Sequence, residues 1–137
     1  PTGEAPLRVL VVDDNAVNRK VAARMLERLS CDVATATGGA DAVSVTAHGG
    51  FDLVLMDMQM PDVDGVAATR AIRERERTTG ARLTIVAMTA NAMSGDREAC
   101  YEAGMDGYLA KPVTMQQLAE LLSRLREGGP ERLREAA

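Results

Sequence analysis

Leu7-Arg8-Val9-Leu10-Val11-Val12-Asp13-Asp14 is a short, β-branched apolar run that stops on two carboxylates. Apolar residues in unbroken succession fit a strand covered on both faces, since a half-exposed strand alternates polar and apolar positions. Asn15 stands where the next element needs a cap, because its side-chain oxygen can accept an otherwise unpaired helical N–H. A helix over residues 16–29 is therefore expected. Val17, Val21, Met25 and Leu29 recur at four-residue steps and define its apolar stripe, with Arg19, Lys20, Arg24 and Arg28 turned elsewhere.

The same strand-then-helix unit repeats along the chain. Residues 32–36 read as a second strand and 38–47 as an Ala- and Val-rich helix. Residues 52–56 are a third strand, again solidly apolar. Pro61 and Gly65 punctuate the following loop, and Asp64 is placed to cap a helix over 65–77. A fourth strand spans 83–88, and a helix over 94–103 stops at Gly104. A fifth strand covers 106–110, and Pro112 breaks the chain before a helix over 115–127. Leu118, Leu121, Leu122 and Leu125 form the inner face of that helix. One domain over 7–127 is expected, with 1–6 as a linker or tag remnant and 128–137 as a C-terminal tail. Five strands alternating with five helices imply an α/β, doubly wound parallel sheet joined by right-handed crossovers. In such sheets, ligands sit at the carboxyl ends of the strands.

Bulk properties narrow the function. The 137 residues suit one core. A net charge of −4 disfavours non-specific binding to nucleic acid or to an anionic membrane. No stretch has the roughly 20 apolar residues of a membrane span. Cys31 and Cys100 are far apart with no CxxC, and read as reduced, partly buried thiols of a cytoplasmic protein. The single histidine, His48, reads as a surface residue at a helix end, and it excludes a multi-histidine metal site.

The chemistry lies at the strand ends. Strand one ends in Asp13 and Asp14, strand three in Asp57, strand four in Thr89 and strand five in Lys111. On one sheet edge the carboxylates repel by about 3 kcal/mol per pair, at an effective dielectric of about 20 and about 5 Å. They must take up protons or hold a cation. Oxygen-only ligands select a hard ion, Mg²⁺ or Mn²⁺, which keeps positions open for phosphate oxygens. Lys111 and Thr89 supply an ammonium and a hydroxyl for the charge that a transferring phosphoryl group spreads over its oxygens. Asp57, between the others, is the natural nucleophile. The chain has fourteen arginines and only two lysines, Lys20 and Lys111, so a lysine just past the last strand stands out.

With these residues in place, the sequence strongly resembles the receiver (phosphoacceptor) domain of two-component response regulators, over about residues 7–127. The matching segments are Val11-Val-Asp-Asp-Asn15, Leu55-Met-Asp-Met-Gln-Met-Pro61 with Asp64-Gly65, Ala87-Met-Thr-Ala-Asn91, and Gly104-Met-Asp-Gly-Tyr-Leu-Ala-Lys-Pro112. The resemblance implies a flavodoxin-like sheet of order 2-1-3-4-5. It implies that Asp57 accepts a phosphoryl group from a phosphohistidine of a histidine kinase or histidine phosphotransfer domain. It implies that Asp14 and Asp57 ligate Mg²⁺ directly, Asp13 through water, and Gln59 through its backbone carbonyl. It further implies that Lys111 pairs with the phosphoryl group and that the Lys111–Pro112 bond is cis. Thr89 and Tyr108 are then the switch pair that remodels the face of the fourth helix, fifth strand and fifth helix. Ala90 is small, as access to the site requires in the family. The domain would catalyse its own phosphorylation and dephosphorylation, with no direct contact to nucleic acid or membrane. Gln59 and Asn91 occupy positions that tune dephosphorylation. The spelling Asp-Asp-Asn-x-x-Asn18, Met-Gln-Met-Pro61 and Thr-Ala-Asn-Ala-Met93 resembles receivers of hybrid sensor histidine kinases. The alternative is a stand-alone single-domain regulator. The domain is expected in the cytoplasm, free or tethered to a membrane-bound parent kinase.

Rival readings fare worse. An aspartate-based phosphatase or mutase needs a carboxylic acid two residues after its nucleophile, and here Gln59 stands there. A nucleotide or flavin module would need a GxGxxG after the first strand and aromatics to stack on, and the chain offers only Phe51, Tyr101 and Tyr108. A receiver that folds without being phosphorylated would not need the complete acidic set. Met56, Met58, Met60 and Met88 read as core or rim filling, and Arg70, Arg73, Arg75 and Arg77 as a solvated helix face interspersed with Glu74 and Glu76.

Overall fold

The opening apolar run forms strand β1 (Arg8–Val12), inside a parallel five-stranded sheet. The structure, a computed structural model, describes residues 6–58, 60, 64–90 and 94–128. The expected punctuation at Pro61 and the ends at 1–5 and 129–137 lie outside the described residues. The remaining elements follow in strict alternation: α1 (Ala16–Arg28), β2 (Asp32–Ala36), α2 (Gly39–Thr46), β3 (Leu53–Asp57), α3 (Gly65–Thr79), β4 (Thr84–Thr89), α4 (Ser94–Ala103), β5 (Gly107–Ala110) and α5 (Met115–Gly128). Strand order is β2-β1-β3-β4-β5, and every pairing is parallel.

Unbroken apolar strands make sense in this arrangement, because helices cover both faces. On one face Val9, Val11, Leu53, Leu55, Val86 and Met88 pack with Leu26 of α1 and Leu118 and Leu122 of α5. On the other, Leu10, Val12, Val54, Met56 and Ile85 pack with Ala42 of α2, Ala68 and Ile72 of α3 and Cys100 of α4. Two caps act as expected: Asn15 accepts from the N–H groups of Val17 and Asn18, and Asp64 from that of Ala67. Gly80, at φ 76°, ends α3 two residues later than the sequence reading placed it.

Two readings are corrected. Val17 and Val21 are 68% and 47% exposed, and the buried positions of α1 are Ala22 and Leu26. With 3.6 residues per turn, each four-residue step overshoots by about 40°, so a stripe of such steps winds off the core face. Only its far end, Met25 and Leu29, packs against the core. The arginines of α3 are also not all solvated. Arg73 and Arg75 are half-buried; Arg75 donates to the carbonyl of Val43 and to the Thr46 hydroxyl on α2.

Strand register fixes what gathers at the carboxyl edge. Val12 pairs with Met56, Asp57 with Met88, and Thr89 with Ala110. The ladder runs one residue further at three points: Asp13 N–H to Ala36, Met58 N–H to Met88, and Lys111 N–H to Thr89. Asp13, Asp57, Thr89 and Lys111 are thereby brought level across adjacent strands.

Candidate functional site

Asp57 is the last residue of β3 and is only 3% exposed. Asp13, one residue past β1, is 2% exposed, whereas Asp14 reaches solvent. One carboxylate oxygen from each of Asp13, Asp14 and Asp57 lies within 4.8 Å of the others. Lys111, leaving β5, points its ammonium into the cluster, 3.1 Å from Asp57 Oδ1 and 3.5 Å from Asp13 Oδ2. Thr89 ends β4 and is buried. Five residues from four strand ends, named from sequence, thus converge on one edge. The Lys111–Pro112 peptide is cis. Tyr108, on β5, is half-buried. Gln59 lies outside the described residues.

The electrostatics are unbalanced. One ammonium faces three carboxylates, two of them buried where desolvation disfavours charge. Asp13 gains a further donor in the Asn15 N–H at 2.9 Å. The remaining excess of negative charge suits a divalent cation. The donor atoms are all oxygen, with no histidine or thiolate among them, which fits Mg²⁺ or Mn²⁺ and not Zn²⁺. An anion with several oxygens could then sit between such an ion, Lys111 and the Thr89 hydroxyl.

Local packing holds the acidic residues in place. The Arg19 guanidinium donates to the Asp13 carbonyl at 2.8 Å, tying the first turn of α1 to the strand end. Gly65 opens α3 directly against Asp57, and a β-carbon there would run into the Asp57 backbone oxygen. Sequence reasoning treated Gly65 as loop punctuation; its Asp-Gly spelling was visible, but the contact depends on where α3 crosses β3. At the opposite edge, Asp106 accepts from Arg73 at 3.0 Å, Arg82 at 2.7 Å and the Ile85 N–H at 2.9 Å. That cluster also escaped the sequence reading, because its members come from α3, β4 and the connections before β4 and β5.

Cys31 and Cys100 are free and buried. Burial pushes the Cys31 thiol up, with the nearby Arg126 charge pulling weakly the other way, so it is a poor nucleophile. His48 is exposed just beyond α2. Among the described residues, no helix is long and apolar enough to cross a membrane.

Comparison with known proteins places this geometry. Residues 9–123 match the model of the family described as response regulator receiver domain. The sensor protein GacS of Pseudomonas syringae pv. syringae is 43% identical over 143 residues, which cover 99% of this chain and 16% of that protein. The chain spans less than a fifth of the curated relatives it matches. The receiver domain of the Pseudomonas aeruginosa sensor histidine kinase PA1611, solved with a magnesium ion in the active site cleft, superposes with a TM-score of 0.78. It is 42% identical over 88% of this chain and 97% of that one. A cocrystal structure of the Saccharomyces cerevisiae histidine phosphotransfer protein Ypd1 with the receiver domain of its response regulator Ssk1 gives a TM-score of 0.83. There the identity is 30% over 87% of this chain and 88% of the matched chain.

Proposed function

From the premise that the chain belongs to the response regulator receiver domain family, we propose that it is an Mg²⁺-dependent phosphoacceptor whose nucleophile is Asp57. The observation that carries this reading is the convergence of Asp13, Asp14, Asp57 and the Lys111 ammonium at one strand edge. In the transfer, an Asp57 carboxylate oxygen attacks the phosphorus of a phosphohistidine. The O–P bond forms as the N–P bond breaks, and the electron pair stays on the imidazole nitrogen, which takes a proton from solvent. Lys111 gives up its contact with the free Asp57 carboxylate and pairs with a phosphoryl oxygen. The Thr89 hydroxyl donates to another, and Tyr108 turns inward behind it, remodelling the face of α4, β5 and α5. Asp13, Asp14 and Asp57, with the Gln59 backbone carbonyl, would hold Mg²⁺ or Mn²⁺, which supplies positive charge to the phosphoryl oxygens when bound.

The donor we infer is a histidine on a helical partner, a histidine kinase or histidine phosphotransfer domain. Val17 and Val21 support this: they expose an apolar patch on α1 beside the site. A groove of about 120 Å³ runs from Val21 and Met25 past Lys111 to Pro112 and Val113. The match to sensor kinases over a small part of their length supports a hybrid sensor kinase as the parent. Coding sequence upstream of the chain carrying a phosphodonor-histidine helix and an ATP-binding motif would bear that out; its absence would favour a stand-alone regulator.

The test of the site is direct. Acetyl phosphate with Mg²⁺ should add one phosphoryl mass to the wild-type chain and none to Asp57→Asn. Modification that persists in the variant overturns the assignment of Asp57.

A further inference from the structure

Two of the three aromatic residues in the chain touch each other. The rings of Tyr101, in the last turns of α4, and Tyr108, on β5, meet edge to face, with centroids 6.5 Å apart and planes at 82°. This is the arrangement that ring quadrupoles favour. The platform under Tyr101 is tied down by several contacts. Its neighbour Cys100 is fully buried and lies 3.7 Å from the sulfur of Met58, the residue after the phosphoacceptor. The turn that follows is closed by Met105 N–H to the Cys100 carbonyl, and Arg73 holds the Gly104 carbonyl at 2.9 Å. Asp106 N–H then bonds to Ile85 of β4 while its carboxylate is gripped by both Arg73 and Arg82. The Tyr101 hydroxyl oxygen is shut off from solvent, so the ring is seated in the fold and does not swing freely.

We propose that Tyr101 is the positioning residue for Tyr108: its ring holds Tyr108 in the orientation described here, and phosphorylation must break or rebuild that edge-to-face contact. The inference rests on reading Tyr108 as part of the switch. Tyr101 lies on α4, and the carboxylates and Lys111 stand at the ends of β1, β3 and β5, so it acts on the response to phosphorylation and not on the transfer. Removing the ring biases the resting domain toward the orientation that phosphorylation selects. The expected factor is about three- to tenfold in the ratio of the two orientations, the worth of one such ring pair.

The chain has two tyrosines and no tryptophan, so a Tyr101 variant leaves Tyr108 as the sole tyrosine and its ring resonances need no assignment. Ring chemical shifts are to be measured for wild type, Tyr101→Leu and Tyr101→Phe, each with and without acetyl phosphate and Mg²⁺, with phosphoryl incorporation followed by mass. Tyr101→Leu should move the resting Tyr108 signal toward its phosphorylated position while still accepting one phosphoryl group. Tyr101→Phe, which keeps the ring, should restore the wild-type position. A Tyr101→Leu signal that stays at the wild-type position, in a folded chain that is still phosphorylated, overturns the inference alone. So does a Tyr101→Phe signal displaced as far as that of Tyr101→Leu. A wild-type chain that takes no phosphoryl group overturns the reading of the site and this inference together.

Discussion

At the scale of single residues, the site is a compromise between charge and stability. Asp14 adds a third carboxylate to two buried ones while its own side chain reaches solvent. Its charge therefore repels Asp13 and Asp57. Asp14→Asn should raise the melting temperature in EDTA by about 2–4 °C, since a fraction of one such repulsion is recovered. The same change should abolish most of the stabilisation by Mg²⁺. An apo variant that melts below wild type would show that Asp14 contributes structure and not strain. Cys31 offers a second test at this scale. Its thiol titrates above the ordinary value of 9.0 because burial disfavours the thiolate. The folded state holds that proton more tightly than the unfolded one, so the contribution is intact below about pH 9 and fades as pH rises through the elevated folded value. Urea denaturation of wild type and Cys31→Ala between pH 7 and pH 10.5 should give stability curves that approach one another at the alkaline end. Curves that stay parallel would mean the thiol is not linked to folding.

At the scale of elements, alternation was readable because the inner strands are buried on both faces and two of the helices open on recognisable caps, Asn15 and Asp64. Helix and strand ends came within two residues, with Asn15, Asp64 and Gly104 marking three of them chemically; the end of α3 at Gly80 was the one set two residues short. The five-residue site was readable for the same reason: each member ends or directly follows a strand, so finding the strands located the residues. Strand order was a different matter. Alternation fixes parallel pairing and crossover hand but permits several orders, and only the resemblance selected 2-1-3-4-5. Contacts away from the carboxyl edge, between elements far apart in sequence, were not legible, and the Asp106 cluster is the clearest. Asp106 precedes β5, yet it joins Arg73 of α3, Arg82 before β4 and Ile85 within β4. Arg82 is half exposed and adds little. Arg73, its side chain 13% exposed, would keep Glu76 at 2.7 Å but lose the second of its two carboxylate partners, and the Ile85 N–H would lose this acceptor. Asp106→Ala should therefore cost about 2–3 kcal/mol in the free energy of unfolding, read from urea midpoints. A loss below about 1 kcal/mol would show that water replaces the carboxylate without penalty. Gly65 makes the companion case on the site side. A β-carbon there collides with the Asp57 backbone oxygen, which cannot yield without moving the phosphoacceptor. Gly65→Ala should both destabilise the domain, by roughly 1–3 kcal/mol, and slow phosphorylation by acetyl phosphate. Wild-type rates in a destabilised variant would mean that α3 shifts and Asp57 does not.

At the scale of the whole molecule, the acidic edge and the two cores form one system. The sheet is sandwiched between two hydrophobic clusters, and β1 and β3 contribute to both of them. The carboxylates hang from those same two strands, so an ion that draws them together joins β1 to β3 at the centre of the sheet. Binding there cannot be a local event: the unfolded chain has no preformed cluster, and the affinity of the folded state appears in full as stability. For one site the gain follows RT ln(1 + [Mg²⁺]/Kd), or about 2.7 kcal/mol when the free ion exceeds its dissociation constant a hundredfold. A urea series over rising Mg²⁺ should show the midpoint climbing with the logarithm of ion concentration once the site is saturated. Far-ultraviolet circular dichroism and tyrosine fluorescence should follow the same curve, because a domain with interior strands shared between both cores unfolds as a unit. Midpoints indifferent to Mg²⁺ would mean the carboxylates do not act as a cation site, and the proposed phosphoryl chemistry would lose its ion. Probes that separate as Mg²⁺ rises would mean instead that the ion braces only the edge, leaving the cores to melt on their own.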